Sequence, residues 1–493
     1  MEIEEKVIET PVIGIDLTDV FRSQIENKEV ANAAVIFNNS IIHVIDNRFI
    51  MACRYHIPTS WKILNNSDLP VMWRAIGSVK DGWNSLESYV MILYVEFKNG
   101  MGNLPFVMKS ERIENYPNAI NEDPRLCKHA DGSFWIYYIV SQLPCRIKLN
   151  NKGDIGERCQ FMVQQSLPNP LIKKQYIVTR NIICAFDYIK DLPFDSNNRF
   201  FQKNWSHWTY DNKEFWTDFY PVPKIYTADN VDVGGTGKCI EETGQHVGNF
   251  SQIKNLKKWF TINFNKTINP RDHKEYQTTA VNLFHFSSTT PSIQVSEEIR
   301  SRYFSNYKVV YAGVAHIRTG CKNVFTNDEI FEAIGDSFKN EMAFYGSFWK
   351  FYSELKNIYD KGFLYLHADI YSMCIYFFDP SVDANGNRGN IIATSNIFNP
   401  LFTNQKTKRI SSRFCLSFPT GLMINRETIF ISYGEGDCKC RLISIPFTEL
   451  TMHKFDDDYG KNLQWNVMYV TGKNGNYDET RSVNQMIKDM IKQ

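Results

Sequence analysis

A strand–turn–strand unit recurs along the chain at long intervals and limits the folds that it can adopt. Each unit has a polar or acidic opening, a strand, a tight turn rich in Asp, Asn or Gly, and an aromatic-rich strand, a pattern typical of antiparallel hairpins. Five such units, each tens of residues long, predict an all-β fold, a five-bladed β-propeller. A pair of two-sheet sandwiches is the alternative. The units span residues 35–55, 122–139, 203–219, 308–316 joined to 365–379, and 414–445.

One segment departs from the strand pattern. Thr326 to Glu329 form a capping box, and apolar residues then recur at helical spacing as far as Tyr359. We expect this helix, residues 326–362, to be an insertion in blade four that lies on the propeller. A second helical pattern near residue 490 predicts a short docked helix at the end of the chain. The predicted organisation is an N-terminal extension (1–30), the propeller (31–450) and a C-terminal extension (451–493).

The composition argues against some classes of partner. Charged residues are 22% of the chain and the formal net charge is +1, so there is no basic excess for nucleic acid or an anionic membrane surface. No apolar run is long enough to cross a bilayer. Aromatic residues reach 14%, and such side chains stack on sugars as well as fill cores. We therefore expect no nucleic acid and no membrane as partner, and the oligomeric state is not predicted; the carbohydrate partner is expected from the polar residues and the resemblance described below.

The cysteines indicate reduced thiols. All 11 are scattered, and none belongs to a Cys-x-x-Cys pair, so their spacing predicts no metal site. The N-terminus has no secretory signal pattern. Buried reduced thiols then predict a cytoplasmic protein.

Residues 121–125, Asn-Glu-Asp-Pro-Arg, form the most informative short segment. Proline removes an amide donor and fixes its own φ, so the acidic pair beside it is held out of regular strand pairing. Asp123 can then face a cavity, with Arg125 on the same extended face. A carboxylate and a guanidinium held together suit acid–base work on a sugar or phosphate oxygen. A surface turn with an ion pair is the simpler interpretation.

In a propeller the first strands of all blades converge on one axis, so polar residues at their starts share a pocket. Carboxylates, cations and a histidine around one cavity meet the needs of glycosyl transfer, which requires an acid and stabilisation of charge. Trp205, with Trp208 and Trp216, is a candidate for an aromatic wall beneath a sugar ring. Each residue also has a purely structural interpretation, as an ion pair, a buried turn or a core histidine. The polar candidates are Asn38 with Arg54, Asp123 with Arg125, Lys203 with Asn204, His316, and Tyr433 with Asp437.

At these positions the chain resembles the β-mannoside phosphorylases and hydrolases of glycoside hydrolase family 130, and the related enzymes of glycosyltransferase family 108. Residues 121–125 are similar to the family's Glu-Asp-Pro-Arg element, and residues 203–204 to its Lys-Asn/Asp element. Residues 309–314 and 370–380 resemble its fourth blade, and residues 418–437 its closing element. The motifs keep the family's order, and its fold is a five-bladed propeller. The richness in Asn, Ile and Lys is also similar to that of propeller proteins of large DNA viruses.

The resemblance implies a role for each matching residue. Asp123 matches the general acid, which protonates the scissile oxygen through a sugar hydroxyl in an inverting reaction. Lys203 and Arg125 match basic residues of the phosphate or sugar site, and Asp437 matches a carboxylate that holds sugar hydroxyls. The family has a phosphate-binding histidine in blade four where this chain has Ala312, with His316 four residues later. His316 joins Lys203 and Arg125 as the predicted phosphate-binding set, and the use of phosphate stays open.

No cofactor is expected beyond inorganic phosphate or a sugar phosphate as co-substrate. Residues 234–238, Gly-Gly-Thr-Gly-Lys, lack the spacing of a phosphate-binding P-loop, so a loop that contacts sugar is the preferred interpretation. The leading hypothesis is an inverting transferase, phosphorylase or hydrolase that acts on a β-mannoside-like glycoside. The alternatives are a non-catalytic glycan-binding or structural propeller, and a protein-interaction scaffold that uses the outer face and residues 326–362.

Overall fold

The structure is a computed structural model. It describes residues 12–58, 86–98, 100–101, 103–115, 120–143, 147–149, 153–155, 159–168, 180–183, 204–218, 224–227, 230–232, 245–249, 261–264, 267–269, 274–276, 279–282, 284–319, 347, 350, 371–384, 388–403, 416–436, 439–455 and 462–472.

The described part of the chain is mostly β-structure, as predicted. The strands are β1 (Val12–Asp16), β2 (Val35–Ile45), β3 (Arg48–Pro58), β4 (Leu86–Glu96), β5 (Phe106–Ile113), β6 (Ile120–Lys128), β7 (Phe134–Leu143), β8 (Ile147–Leu149), β9 (Gly153–Ile155), β10 (Cys159–Leu167), β11 (Arg180–Ile183), β12 (Ser206–Tyr210), β13 (Lys213–Asp218), β14 (Lys224–Thr227), β15 (Asn230–Asp232), β16 (Gln245–Asn249), β17 (Thr261–Phe264), β18 (Thr267–Asn269), β19 (Lys274–Tyr276), β20 (Thr279–Asn282), β21 (Phe284–Ser288), β22 (Ile293–Gln294), β23 (Tyr311–Thr319), β24 (Tyr371–Val382), β25 (Arg388–Ser395), β26 (Ile397–Thr403), β27 (Ser417–Asn425), β28 (Thr428–Glu435), β29 (Lys439–Pro446), β30 (Met452–Lys454) and β31 (Trp465–Gly472).

Helices are short in the described ranges: α1 (Thr18–Arg22), α2 (Lys28–Ala33), α3 (Glu297–Tyr303) and a 3₁₀ turn (Phe447–Glu449). The Ser296 hydroxyl caps α3 by accepting from the Ile299 amide. The predicted insertion helix falls almost entirely outside the described residues; residues 347 and 350 alone are described there, and both are helical. The predicted C-terminal helix also lies outside them. No helix among the described residues is long and apolar enough to cross a membrane.

The predicted strand–turn–strand units are all present as antiparallel pairs: β2–β3, β6–β7, β12–β13, β23–β24 and β27–β28. The residues at the turns explain why these hairpins could be predicted from the sequence. Asp211 and Asn212 both have positive φ, 52° and 55°, as a tight hairpin turn requires. Gly132, in the turn between β6 and β7, has φ 81°, and Asp46 and Arg426, in the β2–β3 and β27–β28 turns, are also left-handed.

Each pair is extended into a larger sheet. Sheet I has the order β2-β3-β4-β5, sheet II has β15-β11-β10-β7-β6, and sheet III has β12-β13-β14-β16. A larger sheet contains two antiparallel groups, here named group IV (β23, β24 and β25, with β21 and β22) and group V (β27, β28, β29 and β1). The parallel pairs β26–β31 and β31–β1 join the two groups. The strands β1 and β31 belong to the predicted terminal extensions yet pair within this sheet, and the predicted domain boundaries stay a prediction.

The first strands of the sheets contact one another. In β2, Asn38 donates to Asp123 of β6 (2.7 Å). Arg125 of β6 then donates to Asn204, which precedes β12 (3.0 Å). The sheets I, II and III therefore meet through polar side chains near the starts of their first strands.

The same contacts continue through group IV and group V back to sheet I. Ser206 of β12 donates to the Thr290 carbonyl after β21 (2.6 Å). The His316 ring of β23 packs on Phe418 of β27, with centroids 5.0 Å apart. Thr420 of β27 then donates to the Asn39 carbonyl of β2 (2.6 Å). The series of contacts is closed.

Apolar clusters lie within the large sheet and between the sheets. One lies within the large sheet and α3, where Phe377, Phe402 and Ile443 are buried. A second joins sheet I to β1 and α1, with Ile15 and Phe21 buried. A third lies between sheets II and III. It contains Cys127, Tyr137, Ile139, Met162, Trp205 and Trp216.

Candidate functional site

Three polar residues at matching places in sheets I, II and III share a left-handed backbone. Asn38, Asp123 and Asn204 have φ of 53°, 48° and 64°. Register shifts at Phe37/Ser40 in β2 and at Glu122/Arg125 in β6 accommodate the first two. Asn and Asp tolerate this conformation better than other residues with a Cβ. Each bulge turns its polar side chain out of the regular alternation, and strain of this kind clusters at functional sites.

Asp123 lies at the centre of this arrangement, with 9% of its surface exposed. Its Oδ1 accepts hydrogen bonds from the Asn38 amide (2.7 Å) and from Arg54 Nη1 (3.0 Å). Both bonds go to the same oxygen, and Oδ2 accepts none from the described residues. Among the described residues, the carboxylate is thus fixed through one oxygen only.

The charge of Asp123 follows from its neighbours. Burial raises the pKa of Asp123, but the positive charges of Arg54 and Arg125, together with the hydrogen bonds from Asn38 and Arg54, outweigh it. The pKa is therefore held below its ordinary value. In the free protein this carboxylate is ionised at neutral pH.

Arg54 is shared between two carboxylates. Its Nη1 lies 3.0 Å from Asp123 and 3.5 Å from Glu122, and all three side chains are at most 13% exposed. Arg54 Nε donates to Ser88 (3.2 Å), and Ser88 donates to the Asn121 carbonyl (2.6 Å). Sheet I is thus connected to the bulge of β6 in two ways, by the ion pairs of Arg54 and by the bond from Ser88 to the Asn121 carbonyl.

Arg125 is fully buried. It donates to the Asp123 carbonyl (3.1 Å), to Asn204 Oδ1 (3.0 Å) and to the Thr289 carbonyl. Its guanidinium also lies over the Phe418 ring, 5.9 Å from the centroid. These contacts join sheets II and III to groups IV and V, so the structure shows Arg125 holding the site together.

His316 and Tyr433 were predicted from the matching places in the last two units. His316 is 3% exposed and lies between the rings of Tyr371 (5.2 Å) and Phe418 (5.0 Å). Because Phe418 also contacts Arg125, His316 adjoins the network. Tyr433 is fully buried in the core cluster of the large sheet.

The predicted aromatic wall is packed inside the protein. Trp205 is 0% exposed and belongs to the cluster between sheets II and III. Trp208 is 1% exposed and stacks on Phe215, with centroids 4.5 Å apart. Trp216 is 2% exposed and packs edge-on against Tyr137. These rings stabilise the sheets, and stacking of a sugar on Trp205 stays a prediction.

The structure brings five predicted residues into one connected network, and His316 adjoins it. Lys203 and Asp437 lie outside the described residues. Sequence reasoning missed Glu122 and Ser88. Glu122 stands beside Asp123 in the segment already singled out, which was a usable signal, whereas nothing in the sequence pointed to Ser88. The five are Asn38, Arg54, Asp123, Arg125 and Asn204.

Comparisons with known proteins give structural similarity only. No protein-family model matches the chain, and no curated protein sequence matches it. A GDP-mannose-dependent mannosyltransferase from Leishmania mexicana aligns with TM-score 0.34 and 10% identity, over 84% of this chain and 86% of its own. A glycosyl hydrolase from Bacteroides ovatus aligns with TM-score 0.37 and 10% identity, over 85% of each chain. A mannose phosphorylase from Leishmania mexicana aligns with TM-score 0.32 and 6% identity, over 87% of this chain and 90% of its own.

Proposed function

We propose that this chain is a carbohydrate-active enzyme whose site lies where the first strands of a five-bladed β-propeller converge. The observation that carries the proposal is the Asp123 carboxylate, which is fixed through Oδ1 by Asn38 and Arg54 while Oδ2 accepts no hydrogen bond from the described residues. A buried acid among arginines suits binding of sugar hydroxyls and proton transfer to a glycosidic oxygen.

The proposed reaction is inverting glycosyl transfer, phosphorolysis or hydrolysis of a β-mannoside-like glycoside. Asp123 delivers a proton to the leaving oxygen, directly or through a sugar hydroxyl, and the acceptor attacks the opposite face of the anomeric carbon. Arg54 and Arg125 stabilise negative charge nearby. The motif resemblance supports the substrate class, and inorganic phosphate or a sugar phosphate is the proposed co-substrate.

The test uses the substitution Asp123→Asn. Asn tolerates the same left-handed backbone as Asp, so the fold should persist while the proton donor is lost. The full-length protein would be incubated with a β-mannoside, with and without inorganic phosphate, and separately with mannose 1-phosphate or GDP-mannose and a panel of acceptor sugars. We expect turnover to fall by about 10²–10⁴-fold. Asp211→Asn is the matched control, since Asp211 is an exposed turn residue with φ 52°. No consumption of any donor, or full activity in Asp123→Asn, would contradict the proposal.

A glycan-binding propeller without turnover is the second candidate. The low pKa of Asp123 favours it, because an acid that is ionised at neutral pH is a poor proton donor in the free protein. Glycan-array binding that persists in Asp123→Asn, with no product from any donor, would support this candidate. Binding lost together with turnover would support the enzyme.

A further inference from the structure

A second cluster of chemically capable side chains lies between sheets II and III, away from Asp123. Cys127 of β6, His129 just after it and His207 of β12 each offer a ligand atom, and these atoms all lie within 4.8 Å of one another. Cys127 is four residues beyond Asp123 along β6, a separation of at most about 13 Å.

A carboxylate lies beside the cluster. Glu214 of β13 contacts the His207 ring through Oε2 and lies 3.7 Å from His129 Nδ1 through Oε1. Its Oε1 also accepts from the Ala130 amide (3.1 Å). Glu214 is 31% exposed at its side chain, so the cluster has a route to solvent on this side.

The imidazoles are held in place by ring packing. His129 lies between Trp135 and His207, with centroids 4.7 and 4.9 Å apart and nearly parallel planes. His129 Nε2 is shielded from solvent and has no hydrogen-bond partner among the described residues. A buried ring nitrogen without a hydrogen-bond partner destabilises the folded state unless a ligand binds it. This nitrogen lies beside a thiol and a second imidazole, which are metal ligands.

We propose that Cys127, His129, His207 and Glu214 form a zinc site that links sheets II and III. One thiolate, two imidazoles and a carboxylate are ligands that Zn²⁺ takes in tetrahedral sites. The thiolate and carboxylate charges balance the ion, so the buried site is neutral overall. Binding transfers the Cys127 proton to solvent.

The three clustered ligand atoms are somewhat farther apart than they would be around a bound ion. Bond lengths of about 2.0–2.3 Å place tetrahedral ligand atoms about 3.3–3.6 Å apart. The ligand atoms of Cys127, His129 and His207 lie within 4.8 Å of one another, so they must approach by up to about 1.5 Å to reach this spacing. The Glu214 carboxylate lies outside that group and must turn toward the ion. Ligand spacing along the sequence predicted no metal, because these residues come from two sheets that are remote in the chain.

The test measures zinc in the full-length protein. After expression with zinc and extensive dialysis, we expect about one zinc per chain by mass spectrometry. Loss of a group that only supports a metal ligand typically weakens metal binding about 10–100-fold. Cys127→Ser and Glu214→Gln should therefore each weaken zinc binding at least tenfold. Cys374→Ser is the matched control, because Cys374 is also a buried thiol but lies on β24, outside the cluster.

Cobalt gives an independent readout on the wild type, which does not depend on a variant that folds. Metal-free protein titrated with Co²⁺ should develop a thiolate-to-cobalt charge-transfer band that saturates at about one equivalent, and zinc should abolish it. The absence of both zinc and the band in folded wild-type protein would overturn the proposal. So would zinc binding that is equally strong in Cys127→Ser.

Discussion

At the scale of single residues, the site depends on side chains that a strained backbone presents. Asn38, Asp123 and Asn204 share positive φ, the first two at bulges, and Asp and Asn are the polar residues that tolerate this conformation best. The identity of each residue is therefore fixed twice, once by the backbone and once by the hydrogen bonds that it makes.

Asn38 should tune the acidity of Asp123. Asn38→Asp removes the amide donor 2.7 Å from Asp123 Oδ1 and places a second carboxylate there, and both changes raise the pKa of Asp123. Because a general acid works when protonated, each unit of increase gives about tenfold more of the active form at neutral pH. We expect the fall of kcat/KM with rising pH to move to higher pH in the variant.

The control for this change is Asn212→Asp, an exposed turn residue with φ 55°. It alters the total charge of the protein equally without approaching Asp123. If Asn38→Asp and Asn212→Asp have the same pH profile of kcat/KM, Asp123 is not the general acid.

At the scale of elements, the sequence predicted the features that depend on residues adjacent in the chain. The hairpin turns at Asp211–Asn212 and Asp131–Gly132 could be found because their backbone needs particular residues at adjacent positions. Two predicted site residues fall outside the described part. The contact of Arg125 with Thr289 and the cluster around Cys127 could not be found, because each joins side chains far apart in the chain, and no local pattern encodes their distance. Burial of Trp205 was missed for the same reason.

The approach of β28 to β2 requires glycine at position 434. A Cβ there would lie 1.9 Å from Asn38 Oδ1 and 2.9 Å from the backbone nitrogen of Asn38. Gly434→Ala should displace the Asn38 side chain from Asp123, lower the free energy of unfolding by about 1–3 kcal/mol and reduce sugar affinity about tenfold, the loss of one charged hydrogen bond. Urea unfolding and titration calorimetry measure the two effects.

Gly421→Ala is the matched control. Its Cβ would crowd Ser432 Oγ (2.3 Å) and the Ile41 amide nitrogen (2.9 Å) between the same pair of sheets, without touching Asn38. We expect a similar loss of stability with unchanged sugar affinity. Equal affinity losses in both variants would mean that sheet packing, not the Asn38 contact, governs binding.

An ion pair between the half-buried Asp16 and the buried Arg441 (3.1 Å) fixes β1 to β29. Burial raises the pKa of Asp16, but Arg441, Lys439 and the hydrogen bonds from Thr18 outweigh it and lower the pKa to about 2. Because the folded-state value lies below that of the unfolded chain, this stabilisation is complete above about pH 4 and is lost as the pH falls toward 2. Asp16→Asn should reduce the free energy of unfolding by about 2 kcal/mol at pH 7.

Urea unfolding between pH 7 and pH 3 checks the sign of this effect. The difference between wild type and Asp16→Asn should be constant near neutral pH and shrink below about pH 4. Asp19→Asn is the control, since Asp19 is 95% exposed and pairs only weakly with Arg22; it should change stability by less than about 0.5 kcal/mol. A difference for Asp16→Asn that persists unchanged at pH 3 would contradict the ion-pair explanation.

At the scale of the whole molecule, the inter-sheet contacts form a closed series. The strand β1, near the start of the described chain, pairs with β29 and with β31, both near its end. Group V therefore needs residues from both ends of the described chain. A closed series has no free end from which sheets can detach one at a time, so loss of β1 packing should weaken sheets that it does not touch.

Ile15→Ala tests this cooperativity. Ile15 is 1% exposed on β1, and its truncation should cost about 2–4 kcal/mol. If the sheets unfold as one unit, the slowest-exchanging amides of residues 206–218 in sheet III should lose the same free energy, which is about a thirtyfold loss of protection for 2 kcal/mol. Hydrogen exchange with mass spectrometry measures this directly. Ile13→Ala is the control, because Ile13 is only half-buried on the same strand, and it should cost about 1 kcal/mol or less. Loss of protection confined to β1 and the strands that pair with it would show that the sheets open independently, because a single cooperative unit transmits the whole loss to its most distant protected amides.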